Sequence, residues 1–228
     1  MAKPDQVIPE KCIGFEIGRE TRSYTADDTM LYAVGVGASQ DPMNREDLDF
    51  TFELSENFKV LPTFGVVIGE FSSIFEGLTK CPGMPEFNPM MLLHGEQTLE
   101  IVRPIPVSGD IRSKVSIVDV ADKGKGALVT TRSEKFNSSG ELICVCDSKA
   151  FIRGIGGFGF KGALPVENLP STPNRAPDAT AREKTFLNQA VLYRLTGDKN
   201  PLHISPEMAA KGNFDKPILH GLCSFGFA

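Results

Sequence analysis

No block of Lys and Arg occurs anywhere in the chain, and the net charge is -5 over 228 residues. Binding to nucleic acid by neutralising phosphates is therefore a poor expectation. No apolar run approaches the ~20 residues that a membrane-spanning helix requires, so membrane insertion is not expected. The N-terminus, MAKPDQVIPEK, lacks the apolar centre of a secretory signal. Cysteine is sparse and scattered, at Cys12, Cys81, Cys144, Cys146 and Cys223. Only Cys144 and Cys146, in ICVCD, stand close, and strand-like alternation puts both sulfurs on one face. No second cluster completes a tetrahedral set, so the expectation is buried or half-buried thiols in a reducing compartment and no metal. The glycine-rich stretch GIGGFGFKG (154–162) matches neither the P-loop nor the dinucleotide pattern.

What is present suffices for a packed core. Hydrophobic residues make up 41% of the chain, and the length allows one large domain or two lobes with a shared core. TADDTMLYAVGVGAS (25–39) predicts a helix that Thr25 caps, with Asp28 completing a capping box. LPTFGVVIGEFSSIFEG (61–77) predicts a longer apolar helix with Pro62 near its start. Segments 97–105, 111–121, 126–136 and 141–153 are rich in Val, Ile, Thr and Phe and are separated by the turn signals SGD, ADKGKG and NSSGE. They read as an antiparallel meander. Residues 154–180, dense in Gly and Pro, read as a linker laid over the surface.

After the linker the pattern restarts. LNQAVLYRLTGD (187–198) predicts a helix with Leu187, Val191, Leu192 and Leu195 on one stripe, ended by Gly197 in a left-handed turn. PILHGLCSFGFA (217–228) predicts a second apolar helix with Pro217 near its start. LYAVGVGASQDP (31–42) parallels LYRLTGDKNP (192–201), and LPTFGVVIG (61–69) parallels KPILHGLCSFG (216–226). This is a weak internal repeat. In the first copy the apolar helix is followed by strands, whereas the second stops at Ala228 inside its helix. An apolar helix needs a sheet to bury it, so a complete second unit is expected to carry roughly 60–75 further residues.

YRLTGDKNPLH (193–203) concentrates the chemistry. Asp198 and His203 lie five positions apart, with Gly197 and Pro201 stiffening the backbone around them. By spacing alone the pair reads more readily as a helix cap and a surface hydrogen bond than as catalysis. Gly221 in turn fits either close helix packing or a backbone donor at a helix start.

YRLTGDKNPLH followed by FDKPILHGLCSFGF resembles the signature of the hydratase 2 group of MaoC-like enzymes, the (3R)-specific 2-enoyl-CoA hydratases that also form part of peroxisomal multifunctional enzymes. GVGAS, LPTFGV, LLHGEQ, DKGKG and RGIGGFGF extend the resemblance over nearly the whole chain. It implies an α+β double hot-dog fold, two antiparallel sheets each wrapped on a helix. Residues 1–153 would form an N-terminal unit that accommodates the acyl tail, 154–180 a linker, and 181–228 an incomplete catalytic unit. Asp41 of the first unit has no following histidine, so that unit is expected to be catalytically silent.

The resemblance further implies that Asp198 and His203 act together on water, that Asn200 orients His203 or the water, and that Gly221 binds the thioester oxygen. His94 and Gly95 would line the acyl-CoA path, Lys123 would contact the CoA moiety, and Lys199, Pro201 and Leu202 would complete the substrate site. Arg194 is expected to serve as a structural ion pair or a hold on the loop, and Glu53 as support. No cofactor is expected, since CoA belongs to the substrate. A homodimer and a place in the peroxisome matrix are further implications. Another hot-dog thioester enzyme, or an inactive acyl-CoA-binding chain, is the alternative.

Overall fold

Alternation of apolar and polar side chains sets the sheet. In the strand Gly109–Asp122, Ile111, Val115 and Ile117 are buried while Arg112 is exposed. The computed structural model describes residues 3–69, 71–165 and 171–228. Its strands are β1 (Glu16–Tyr24), β2 (Leu92–Ile101), β3 (Gly109–Asp122), β4 (Gly126–Phe136) and β5 (Leu142–Arg153). They form an antiparallel sheet in the order β1-β3-β4-β5-β2. The predicted meander therefore holds for β3, β4 and β5. The segment expected at 97–105 starts earlier, at Leu92, and crosses to pair with β5 at an edge, with a register shift between His94 and Glu96. β1 has no counterpart in the expectation. Its sequence, EIGRETRSY, is rich in charge, as suits the other edge of the sheet.

The helices are α1 (Pro9–Cys12), α2 (Ala26–Gly35), α3 (Leu48–Thr51), α4 (Phe71–Lys80), α5 (Gln189–Tyr193), α6 (Pro206–Lys211) and α7 (Gly221–Phe227). α2 starts as expected, with the Thr25 N–H donating to Asp28 Oδ2 at 2.8 Å. The apolar run 61–77 is not one helix. It forms a 3₁₀ turn at Pro62–Val66, breaks near Gly69 at φ +77°, and resumes as α4. The 3₁₀ turn is driven into the interior, where Phe64, Val66, Val67 and Ile68 are buried and the buried Lys135 amine donates to the Gly65 carbonyl at 2.5 Å.

That turn joins the two halves of the chain. Phe64 packs on Tyr24 and Tyr32, with ring centroids 5.5 and 5.4 Å apart. Tyr32 meets Tyr193 at 6.1 Å, so the Leu-Tyr pairs of the repeat face one another across the core. Leu222 and Cys223 of α7 close the same cluster. A second cluster, built from Val7, Leu78, Met84, Ile117, Val129 and Ile152, fills the space between the end of α4 and the sheet.

The apolar stripe expected on the 187–195 helix does not face this core. Leu187, Val191 and Leu195 are exposed by 110%, 54% and 49%, whereas Gln189, Tyr193 and Thr196 are buried. α5 has only five residues before tightening into a 3₁₀ turn at Arg194–Thr196, and its Gln189 amide donates to the Gly35 carbonyl at 2.7 Å. A hydrogen bond and an aromatic ring orient this element. The second apolar helix starts at Gly221 rather than near Pro217, and residues 217–220 lead in without regular structure.

The glycine-rich end of the sheet is pinned. Asp122 accepts from the N–H groups of Gly124, Gly157 and Gly159 at 2.7, 3.1 and 2.6 Å, and Asp119 accepts from Ala163 at 2.7 Å. Of the linker expected over 154–180, residues 166–170 lie outside the described residues, and 171–180 are exposed. Among the described residues no helix is long and apolar enough to cross a membrane.

Phe64 is the residue on which both halves pack, so Phe64→Ala is expected to destabilise the fold by about 3–5 kcal/mol. Urea unfolding followed by circular dichroism measures this, and a shift below 1 kcal/mol, roughly that of an ordinary surface substitution, would contradict the packing account.

Candidate active site

The path to the site begins at the end of α5. The 3₁₀ turn Arg194–Thr196 runs into Gly197, whose φ of 160° is extended rather than the expected left-handed turn. Glycine is favoured there by close approach: a Cβ would stand 3.2 Å from the Val67 carbonyl oxygen and 3.3 Å from Arg22 Nη1, so a larger residue would push these neighbours back by a few tenths of an ångström. Arg22, on β1, donates to the Val67 carbonyl at 3.1 Å and to the Thr196 carbonyl at 3.3 Å. A guanidinium from the first half thus fastens the turn that delivers Asp198. Arg22 carries no motif, and nothing in the sequence singles it out.

Asp198 is buried, and its Oδ1 accepts from the Asn200 N–H at 3.0 Å. Asn200 Oδ1 in turn accepts from the Leu202 N–H at 3.0 Å and caps the 3₁₀ turn Pro201–His203, in which Pro201 supplies the first residue. This chain of caps sets where His203 lies. Asp41 makes the same two-residue turn, accepting from the Met43 N–H at 2.9 Å, but it is exposed and no histidine follows it.

His203 Nδ1 stands 2.8 Å from the Ile218 carbonyl. A carbonyl only accepts, so the proton belongs on Nδ1 and Nε2 keeps its lone pair. Beside it is His220, which is 1% exposed. The two imidazoles stack with centroids 3.8 Å apart and planes 29° from parallel. His220 Nε2 lies 3.3 Å from the Asp198 carbonyl, which assigns its proton to Nε2, and 4.0 Å from Asp198 Oδ2. Burial first, and then the neighbouring His203, push the His220 pKa down to about 4, against the pull of Asp198. His220 is therefore neutral near pH 7, and its approach to the carboxylate is not an ion pair.

One potential ligand atom from each of Asp198, His203 and His220 lies within 4.8 Å of the others. A shared metal would need the imidazole lone pairs to converge on one point at about 2.0–2.1 Å. Stacked rings hold those lone pairs in planes only 29° apart, an arrangement that does not favour convergence on one ion.

Gly221 is the first residue of α7, directly after His220. It is exposed, and a Cβ there would meet nothing within 4 Å. Packing therefore does not demand glycine at this position. The N–H groups of a helix's first turn have no partner within the helix, so a donor is available beside the Asp198–His203 pair.

The structure brings Asp198, Asn200, His203 and Gly221 together, with Lys199 and Pro201 exposed and Leu202 half-buried in the same loop. Arg194 forms no ion pair among the described residues, and its Nε is buried without a hydrogen-bond partner. His94 is exposed on β2, with Nε2 3.1 Å from the Glu96 carbonyl, and Gly95 occupies the register shift beside it. Lys123 sits in the exposed β3–β4 turn, and Glu53 is exposed beyond α3 without a hydrogen bond among the described residues. Among the described residues no hydrogen bond or ion pair joins His94, Lys123 or Glu53 to the Asp198 loop. A groove of about 700 Å³ lined by Pro9, Glu10, Ile13, Phe158 and Phe160 contains none of these residues. The residue the sequence reading left out of the site is His220, although the His-Gly pair that contains it was visible there.

Known proteins share this arrangement of chain. The MFE-2 hydratase 2 N-terminal domain matches residues 23–154, and the MaoC like domain matches residues 168–228. The peroxisomal multifunctional enzyme type 2 of Mus musculus is 45% identical over 95% of this chain and 29% of its own length. The probable enoyl-CoA hydratase 2 of Dictyostelium discoideum is 44% identical over 96% of this chain and 73% of its own length. A crystal structure of a MaoC-like dehydratase from Phytophthora capsici superimposes with a TM-score of 0.81 at 38% identity, covering 97% of this chain and 75% of that one. The chain thus spans less than a third of the mouse relative and about three quarters of the amoebal one. The antiparallel sheet with its packed helices is the α+β hot-dog fold of these neighbours. By sequence and by structure, the chain belongs to the hydratase 2 family of MaoC-like enzymes.

Proposed function

We propose that this chain hydrates trans-2-enoyl-CoA to (3R)-3-hydroxyacyl-CoA, a step of fatty-acid β-oxidation, and that it does so in the peroxisome matrix. The observation that carries the reading is the convergence of a buried carboxylate, Asp198, and a His203 imidazole with a free Nε2 beside the open start of α7. The names borne by the mouse and amoebal relatives support it.

Hydration moves few atoms. The oxygen of water bonds to C3, the C2–C3 π bond breaks, and a proton is added at C2. One group must take a proton from the water and one must supply a proton to carbon. Asp198 and His203 do this as a pair, and the proton is best assigned to the pair as a whole. As the π electrons shift, negative charge builds on the thioester oxygen, where the Gly221 N–H and the positive end of α7 stabilise it. The bare Cα of Gly221 lets that oxygen approach. Asn200 holds the acid–base geometry through its cap.

The rest of the substrate is assigned to the surrounding surface. Lys199, Pro201 and Leu202 flank the reacting end, His94 and Gly95 line the acyl-CoA path, and Lys123 meets the CoA moiety. Arg194 and Glu53 support the loops. Residues 1–153 form the unit that takes the acyl tail, 154–180 link it to the next, and 181–228 belong to the catalytic unit. No cofactor is needed beyond the CoA of the substrate, and the assembly is a homodimer.

Asp198→Asn and His203→Gln are each expected to lower kcat by about 10²–10⁴-fold, as loss of a general acid or base does. Asp41→Asn, in the twin turn, leaves the rate unchanged. Loss of enoyl-thioester absorbance reads the rate, and circular dichroism reads retention of the fold. Full activity in either site variant would remove the pair from the reaction. Gly221→Val is expected to fold, because space is open there, and to slow turnover by about 10²-fold, the scale of an oxyanion donor. Wild-type turnover in that variant would exclude Gly221 as the donor.

A further inference from the structure

The role of His220 rests on the hydration reading above and goes beyond it. Its ring touches both ends of the loop that carries Asp198: His203, stacked at 3.8 Å, and Tyr193, at 4.9 Å with planes 52° apart. Its Nε2–H reaches the middle of that loop, at the Asp198 carbonyl. Its own backbone is the N-cap of α7, directly before Gly221. One imidazole therefore meets the start, centre and end of the acid–base loop and adjoins the oxyanion donor.

A side chain that only filled this space would be apolar. His220 instead keeps a buried Nδ1 with no hydrogen-bond partner, a cost to folding that an apolar side chain of similar size would not carry. We propose that His220 is a positioning residue, which sets the Asp198–His203 loop in register with the start of the Gly221 helix through its Nε2–H and its stacked ring. It is not the proton carrier. The groups that face it are Asp198, His203, Arg194 and Tyr193, and burial outweighs the pull of the carboxylate, so it carries no charge near neutral pH.

Two variants and one spectrum test this. His220→Gln keeps an N–H donor near the ε position, whereas His220→Leu keeps bulk and loses the donor. His220→Leu is expected to lower kcat by about 10²-fold, the scale of a misplaced reacting group, with KM changed less than about threefold. His220→Gln is expected to stay within about tenfold of wild type, with an unchanged pH profile of kcat. In the wild-type protein, two-bond ¹H–¹⁵N correlations are expected to place the His220 proton on Nε2 from about pH 6 to 8. Wild-type kcat in His220→Leu would overturn the proposal. So would a proton on Nδ1, protonation of both nitrogens near neutrality, or equal loss in the two variants. The spectrum needs no turnover, so a wild type that fails to hydrate enoyl-CoA but shows the Nε2–H tautomer would sink the hydratase reading and leave the geometry of His220 standing. If His220→Leu does not fold, the spectrum and His220→Gln still decide.

Discussion

Everything at the site depends on how closely residues 196–198 approach the 3₁₀ turn of the first half. Gly197 lies so near the Val67 carbonyl that a Cβ would crowd it at 3.2 Å, and Arg22 ties the Val67 and Thr196 carbonyls together. The approach is supported by Phe64, Tyr32 and Tyr193, whose rings pack at tilted angles between the halves. Asp198 is buried because the turn is held down. Asp198 and His203, the proposed acid–base pair, sit on the second half of the chain, but the first half fastens the turn that delivers them.

From Asp198 onward the arrangement is a sequence of short local bonds. Asp198 holds the Asn200 N–H, Asn200 holds the Leu202 N–H, and His203 is anchored by the Ile218 carbonyl. Each bond removes a freedom that would otherwise have to be lost at the moment of reaction. The tautomers follow from the same bonds: His203 offers Nε2, and His220 turns its Nε2–H inward. The first half repeats the opening step at Asp41, in an exposed turn that no histidine follows.

The strands of the sheet were legible where one face is buried, because alternation at period two has a single cause. β1 escaped because an edge strand is protected by charge, which masks the pattern. The 61–77 run looked helical from its composition, but Gly69 and the core demand for Phe64 divided it. The stripe of Leu187, Val191 and Leu195 misled, since a short helix is oriented by the few contacts it makes, here the Gln189 amide and the Tyr193 ring. The linker's attachment was invisible because carboxylate-to-backbone bonds at Asp119 and Asp122 leave no side-chain signature in the residues they hold. At the site, Asp198, Asn200, His203 and Gly221 stood out through the motif. His220 lies in plain sight in the sequence, but its stack on His203 is a tertiary contact without a local signal, and Arg22 has no local signal at all.

The central claim is that this geometry adds water to one face of an enoyl thioester. The most direct measurement is the reaction of the purified chain with trans-2-decenoyl-CoA, with the product resolved on a chiral column. Loss of enoyl-thioester absorbance and a (3R)-hydroxyacyl-CoA product with the thioester intact are expected. A (3S) product, or release of free CoA, would contradict the claim.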